Sequence, residues 1–141
     1  MTRADENRVL IEGFWDDLYN QDLAAAAAWF TPEGEYTDVA TPTDDVARGA
    51  DEIVRRLTLA WGKVSAIRDE RLHLVAGDEI VMTEHIETWD WPTGESFGLP
   101  VATVHVVADG RIARWTDYWD LGLLMGAAPQ WWIEHVMQGW K

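Results

Sequence analysis

The sequence predicts an α+β fold, with helices first and a curved antiparallel meander wrapped over them. Three observations carry that prediction. Residues 7–61 place apolar side chains mainly at helical spacing, whereas the stretch after Gly62 alternates them at spacing two. Turn signals divide that second half into four segments. Helices followed by a run of hairpin-linked strands is the pattern of a sheet with its helices on one side. A curved sheet wrapped on a helix encloses a cone-shaped hollow.

The first element is an amphipathic helix over 7–20, because Leu10, Ile11, Phe14, Trp15 and Leu18 form one stripe. Asp22 supplies an N-cap for a short second helix over 23–30, which Pro32 ends. The run Glu35-Tyr36-Thr37-Asp38-Val39 reads as a short strand, and 40–49, with Pro42, Asp44 and Asp45, as a loop. Asp51 opens a third helix carrying Ile53, Val54, Leu57, Ala60 and Trp61. Strands are then expected over 66–76, 79–91, 97–108 and 111–120. Gly77-Asp78, Pro92-Thr93-Gly94 and Asp109-Gly110 separate them, and Asp-Gly is the strongest hairpin signal of the three. The tail gathers Trp131, Trp132, Ile133, Val136, Met137 and Trp140, which suits a last helix that closes the hollow or docks a second subunit.

A chain of 141 residues, 48% of them apolar, suits one domain over 1–141 with one core. The net charge of −14 repels phosphate backbones and anionic membranes, which argues against nucleic-acid or membrane partners. No apolar run approaches the ~18 residues of a membrane span. The polar N-terminus lacks a signal peptide's apolar stretch, so a cytoplasmic protein is expected. There is no cysteine, which excludes disulfides and thiolate chemistry. Ten tryptophans in such a chain pack a core or interface, or wall an apolar pocket.

Two short strands carry the chemistry. In Thr83-Glu84-His85-Ile86-Glu87, the period of two puts His85 and Glu87 on one face. In Trp115-Thr116-Asp117-Tyr118-Trp119-Asp120, it puts Asp117 between Trp115 and Trp119. A His and two acids meeting in one dry hollow would be suited to proton chemistry, because burial and like charge split carboxyl pKa values. Tyr36 and Asp38 also share a face at spacing two. Trp89 continues the face of His85 and Glu87 toward the mouth of the hollow. Trp15 and Tyr19, one helical turn apart, suit the core or cavity wall. His105, on the face of Thr103, reads as a satisfied structural histidine, and His73 and His135 have no partner that the sequence identifies. No ligand spacing for a metal and no phosphate-cradling glycine motif occurs, so neither metal nor other cofactor is expected.

The element order and these motifs resemble the nuclear transport factor two-like superfamily, an α+β barrel of the cystatin-like type that includes ketosteroid isomerase-like and polyketide cyclase-like proteins. Within it, the stretch from Val81 to Leu121, with Thr83-Glu84, Pro92-Thr93-Gly94 and Gly110 through Leu121, resembles limonene epoxide hydrolases. Those enzymes use an Asp–Arg–Asp triad, with a Tyr and an Asn that help hold the water. The resemblance implies that the second Asp falls on Asp117, the Arg on His85, the first Asp on Glu87, the Tyr on Tyr36 and the Asn on Asp38. Three of those positions therefore differ in type. A His in place of an Arg titrates near neutrality, which Arg does not.

The resemblance implies three readings. The first is hydrolysis of a small apolar epoxide by paired general acid and base carboxylates, with Trp15, Tyr19, Trp89, Trp115 and Trp119 around the substrate. The second is isomerisation, dehydration or cyclisation of a polyketide- or steroid-like substrate by a His–carboxylate dyad. The third is a non-catalytic ligand-binding module. Barrels of this type commonly pair through the outer sheet face, so a homodimer is expected.

Overall fold

The computed structural model describes residues 1–41 and 45–140. Helix α1 (Arg3–Tyr19) starts earlier than the apolar stripe alone indicates, because Thr2 and Asp5 form a reciprocal capping box that adds a turn. Helix α2 (Leu23–Ala27), capped by Asp22, is shorter than expected. The chain is already extended at Phe30 and enters strand β1 (Phe30–Asp38). Pro32 thus lies inside a strand rather than at a helix end. It is tolerated because the register between β1 and its neighbour shifts between Phe30 and Glu35.

The expected loop contains a two-residue strand, β2 (Ala47–Arg48), paired antiparallel with Glu35 and Tyr36. Pro42, Thr43 and Asp44 lie outside the described residues. Helix α3 (Ala50–Trp61) buries Ile53, Leu57 and Trp61, and begins after Gly49, whose φ of 83° favours glycine. Strands β3 (Ala66–Ala76), β4 (Ile80–Asp90), β5 (Ser96–Ala108) and β6 (Arg111–Tyr118) form the meander. At the β5–β6 turn both Asp109 and Gly110 have positive φ, which is the backbone that an Asp-Gly hairpin requires. Strand β6 stops at Tyr118, short of the expected 120, because Asp120 instead caps helix α4 (Leu121–Ala127). The tail is split: Pro129 forces Ala128 into an extended conformation before helix α5 (Gln130–Gly139).

The described strands form one sheet in the order β2-β1-β6-β5-β4-β3. The meander is antiparallel, but β1 joins β6 in parallel, so the sheet is mixed. Its edges, β2 and β3, do not pair with each other, and the sheet is therefore curved and open rather than a closed barrel. Register breaks between Arg71 and His73 and between Val106 and Val107 bend it further. One face holds Ile67, Asp69, Thr83, His85, Glu87, Trp89, Leu99, Val101, Thr103, His105, Trp115 and Asp117, and α1 packs on it through Phe14, Trp15 and Leu18. Among the described residues no helix is long and apolar enough to cross a membrane.

Candidate active site

The concave face encloses a cavity of about 320 Å³. Its polar lining is Tyr36 and Asp38 from β1, Glu87 from β4 and Asp117 from β6, together with Thr41 and Arg56. The rest is largely apolar, with Trp61, Trp89, Leu99, Trp119, Leu124 and Trp132 on it. Met137 and Trp140 also line it, so the tail closes the hollow from α5.

Strand pairing explains why these groups meet. Asp38 is the Cα partner of Asp117, and Tyr36 that of Trp115. Their rings stack with centroids 3.9 Å apart. Thr103 pairs with both Asp117 and Thr83, which brings β4 and β6 to the same row. His85, Glu87, Asp38 and Asp117 are all buried, so these strand faces turn inward and not to solvent.

Each acid is held by a separate set of donors. The Tyr36 hydroxyl and the Trp119 indole both donate to Asp38 Oδ1, each at 2.9 Å. Glu87 accepts from the Tyr19 hydroxyl at 2.6 Å and from the Trp89 indole at 3.2 Å. Asp117 Oδ1 accepts from the Thr103 hydroxyl at 2.7 Å and from the Trp115 indole at 2.8 Å. Among the described residues no hydrogen bond reaches Asp117 Oδ2.

Four of the ten residues singled out in the sequence stand behind this wall. Trp15, Tyr19, His85 and Trp115 do not line the cavity; Trp15 stacks on Tyr19 and lies 5.0 Å from the His85 ring. His85 is engaged at both nitrogens. Its Nδ1 lies 2.6 Å from Asp69 Oδ1, and its Nε2 lies 2.8 Å from Thr103 Oγ1. Asp69 and Thr103 are the residues that sequence reasoning missed. The available signal was period two: Asp69 shares the inner face with Ile67, and Thr103 with Val101. Nothing in the sequence says which strand either one faces.

Burial sets the electrostatics. It raises Asp38, against hydrogen bonds from Trp119 and Tyr36 that pull it back. It raises Glu87 too, offset in part by the charge of His85 and the Tyr19 hydroxyl. Asp117 is held well above the usual carboxylate range by burial and then by the charges of Asp38 and Glu87. For His85, burial lowers the pKa, but the bond to Asp69 and its charge outweigh that, and the net shift is upward.

His105 is not the satisfied histidine expected. It is fully buried among Phe14, Trp15 and Trp115, and among the described residues neither ring nitrogen has a hydrogen-bond partner. Burial pushes its pKa down to about 3.

A curved mixed sheet with N-terminal helices and an inner cavity defines a nuclear transport factor two-like α+β fold, and solved structures similar to this one share it. An LEH-like epoxide hydrolase from M. tuberculosis is 22% identical, with 98% of this chain and 94% of that chain covered and a TM-score of 0.73. A proposed SnoaL-like polyketide cyclase from Shewanella putrefaciens is 14% identical, over 87% and 95% of the two chains, with a TM-score of 0.75. A proposed ketosteroid isomerase from Kribbella flavida is 20% identical, over 84% and 81%, with a TM-score of 0.65. More specifically, residues 11–115 match the SnoaL-like domain, and the chain belongs to that family.

Proposed function

We propose that this protein is a cofactor-independent hydrolase that opens a small apolar epoxide with water. The observation that carries the reading is three buried carboxyls, Asp38, Glu87 and Asp117, lining one tryptophan-walled cavity. Acids so placed take different protonation states at one pH, which is what concerted acid–base chemistry requires. Asp117, buried and flanked by two like charges, is raised the furthest and holds its proton the most tightly of the three. Glu87 is raised less far, because a donor on each oxygen and the charge of His85 offset part of its burial, and it is the easier of the two to ionise.

In this mechanism Tyr36 and Asp38 hold the water. Glu87 takes its proton as the water oxygen bonds to an epoxide carbon. The carbon–oxygen bond of the ring breaks, and the departing oxygen takes the proton of Asp117. A proton then passes back from Glu87 to Asp117 and resets the site. General acid and base assistance is each worth about two to four decades in rate.

The test is diol formation from a panel of cyclic epoxides. Wild type forms diol, and Asp117→Asn loses at least about a hundredfold in kcat. Equal rates from the two proteins exclude the mechanism. The same panel carries enones and hydroxyketones. Turnover of those, with none of epoxides, makes the protein an isomerase, dehydratase or cyclase. Because both nitrogens of His85 are engaged behind the wall, proton abstraction would then fall to a carboxylate. Ligand binding without turnover of any of them makes it a binding module.

The assembly we propose is a homodimer through the convex sheet face. Ile80, Met82 and Tyr118 are exposed there, and pairing places Ile80 beside Val106, Met82 beside Val104 and Ala102 beside Tyr118. An apolar band of that kind on the outer face of an open sheet calls for a cover. Light scattering is expected to give twice the 16.0 kDa chain mass, and a monomer mass would end this proposal.

A further inference from the structure

Behind the cavity wall runs a line of short hydrogen bonds that the reaction scheme above does not use. It begins at Asp69 on β3, passes through both nitrogens of His85 on β4, crosses the Thr103 hydroxyl on β5 and ends on Asp117 of β6. Its three links measure 2.6, 2.8 and 2.7 Å. The side chains of His85 and Asp69 are 0% and 2% exposed, and Thr103 and Asp117 are buried. Four strands each contribute one member, so nothing local in the chain produces the arrangement.

We propose that Asp69 and Thr103 are positioning residues of the active site: they clamp His85 at its two ring nitrogens and so fix the direction of the one hydroxyl proton that reaches Asp117. The reasoning is a count of protons. A threonine hydroxyl has one proton to donate and can accept as well. When His85 Nε2 carries a hydrogen, Thr103 must accept it, and the hydroxyl proton is left for Asp117 Oδ1. When Nε2 is bare, the hydroxyl can turn toward the ring, and Oδ1 loses that donor. Asp69 decides between the two states, because its carboxylate accepts from Nδ1 and favours the doubly protonated ring. With Oδ1 taken by Thr103 and Trp115, the acidic proton of Asp117 is confined to Oδ2. That is the oxygen left over for substrate.

The groups that face His85 are few. From α1 come Trp15 and the Tyr19 hydroxyl, 3.5 Å from Nδ1. From β3 comes Asp69, whose second oxygen lies 3.5 Å from the Arg71 guanidinium; Arg71 in turn lies 3.9 Å from Asp16 of α1. Glu87 on β4, His105 on β5 and Asp117 on β6 complete the set. Among the described residues only Asp69 both touches the ring and carries charge, and its removal is the decisive perturbation.

Side-chain NMR tests this without turnover, while its effect on rate rests on the epoxide reading. In labelled wild type, the His85 ring is expected to hold both protons to a pH above the ~6.5 of free histidine. Asp69→Asn is expected to lower that midpoint by at least about one unit. Thr103→Val is expected to raise the titration midpoint of the Asp117 carboxyl, and Thr103→Ser to restore it. In the rate assay, Thr103→Val lowers kcat about tenfold with KM little changed, the worth of one hydrogen bond, and Thr103→Ser recovers it. An unmoved His85 midpoint in Asp69→Asn, or an unmoved Asp117 in a folded Thr103→Val, overturns the proposal. Both shifts in a protein that turns over no epoxide leave the positioning role standing and remove only the epoxide reading.

Discussion

The hydroxyl of Tyr19 lies 2.6 Å from Oε2 of Glu87, so the last residue of α1, one turn beyond Trp15, reaches the sheet at a catalytic candidate. Tyr19 stacks between Trp15 and Trp61, with centroids 5.4 and 5.8 Å away. The helix thereby fixes the height of the phenol above the sheet. Burial holds that phenol well above its usual pKa, so it remains a donor throughout the working pH range.

Tyr19→Phe removes a donor from the ionised form of Glu87 and leaves the ring packing intact. The pKa of Glu87, already raised by burial, is expected to rise by a further unit or so, since a hydrogen bond to a charged group is worth about 1.5–3 kcal/mol. With Glu87 as base, the acidic limb of the kcat/KM profile moves up in pH. A limb that stays in place while the rate falls assigns the base elsewhere.

After burial, the charge of Asp38 is the first of those that raise Asp117. Asp38→Asn keeps the shape and removes that charge. The pKa of Asp117 is expected to fall, and the alkaline limb of the profile, which reports loss of the acid's proton, moves down in pH. A pH–rate titration of the variant reads this directly.

His105 makes a prediction about stability. Its folded pKa of about 3 lies below the unfolded value of ~6.5. As pH falls below ~6.5 the unfolded chain takes up a proton that the folded one refuses, so stability is lost between those two values. The raised carboxyls act the other way, since their contribution is present at acidic pH and is lost as pH rises through their folded pKa values. His105→Leu removes two unpartnered nitrogens and is expected to be neutral or stabilising by about 1 kcal/mol at neutral pH. Denaturant melts from pH 7 down to 4 should show the gain widening as pH falls. A gain that stays constant means that the histidine finds a proton acceptor.

On the convex face, Met82 is 53% exposed and sits beside Val104. Met82→Asp is expected to leave the monomer folded and to shift the assembly toward the chain mass of 16.0 kDa. Sedimentation across a concentration series measures it, and an unchanged dimer places the interface on another face.

Much of this was legible in the sequence because it depends on spacing along one strand or helix. Period two put His85 with Glu87, and Trp115 with Asp117, and each pair does share the inner face. The Asp109-Gly110 turn and the Asp22 cap follow from local backbone chemistry and lie where expected. The Thr2 capping box was equally local, but its gain of a turn is hidden from an apolar stripe. The tail was expected to form one last helix, and its division into two at Pro129 is a local feature that the apolar cluster alone does not reveal.

Strand neighbours were not legible, because pairing is decided by where whole elements pack rather than by any short window of residues. β1 lies parallel beside β6 although some eighty residues separate Asp38 from Asp117, and that adjacency alone brings their acids together. The same cause turned His85 away from the cavity, since its partners Asp69 and Thr103 sit on the strands to either side. The sequence by itself determined which face each side chain takes, because that is a property of one strand's geometry. Only the tertiary structure decided which faces meet, because burial of the concave surface against α1 and α5 selects one arrangement of strands.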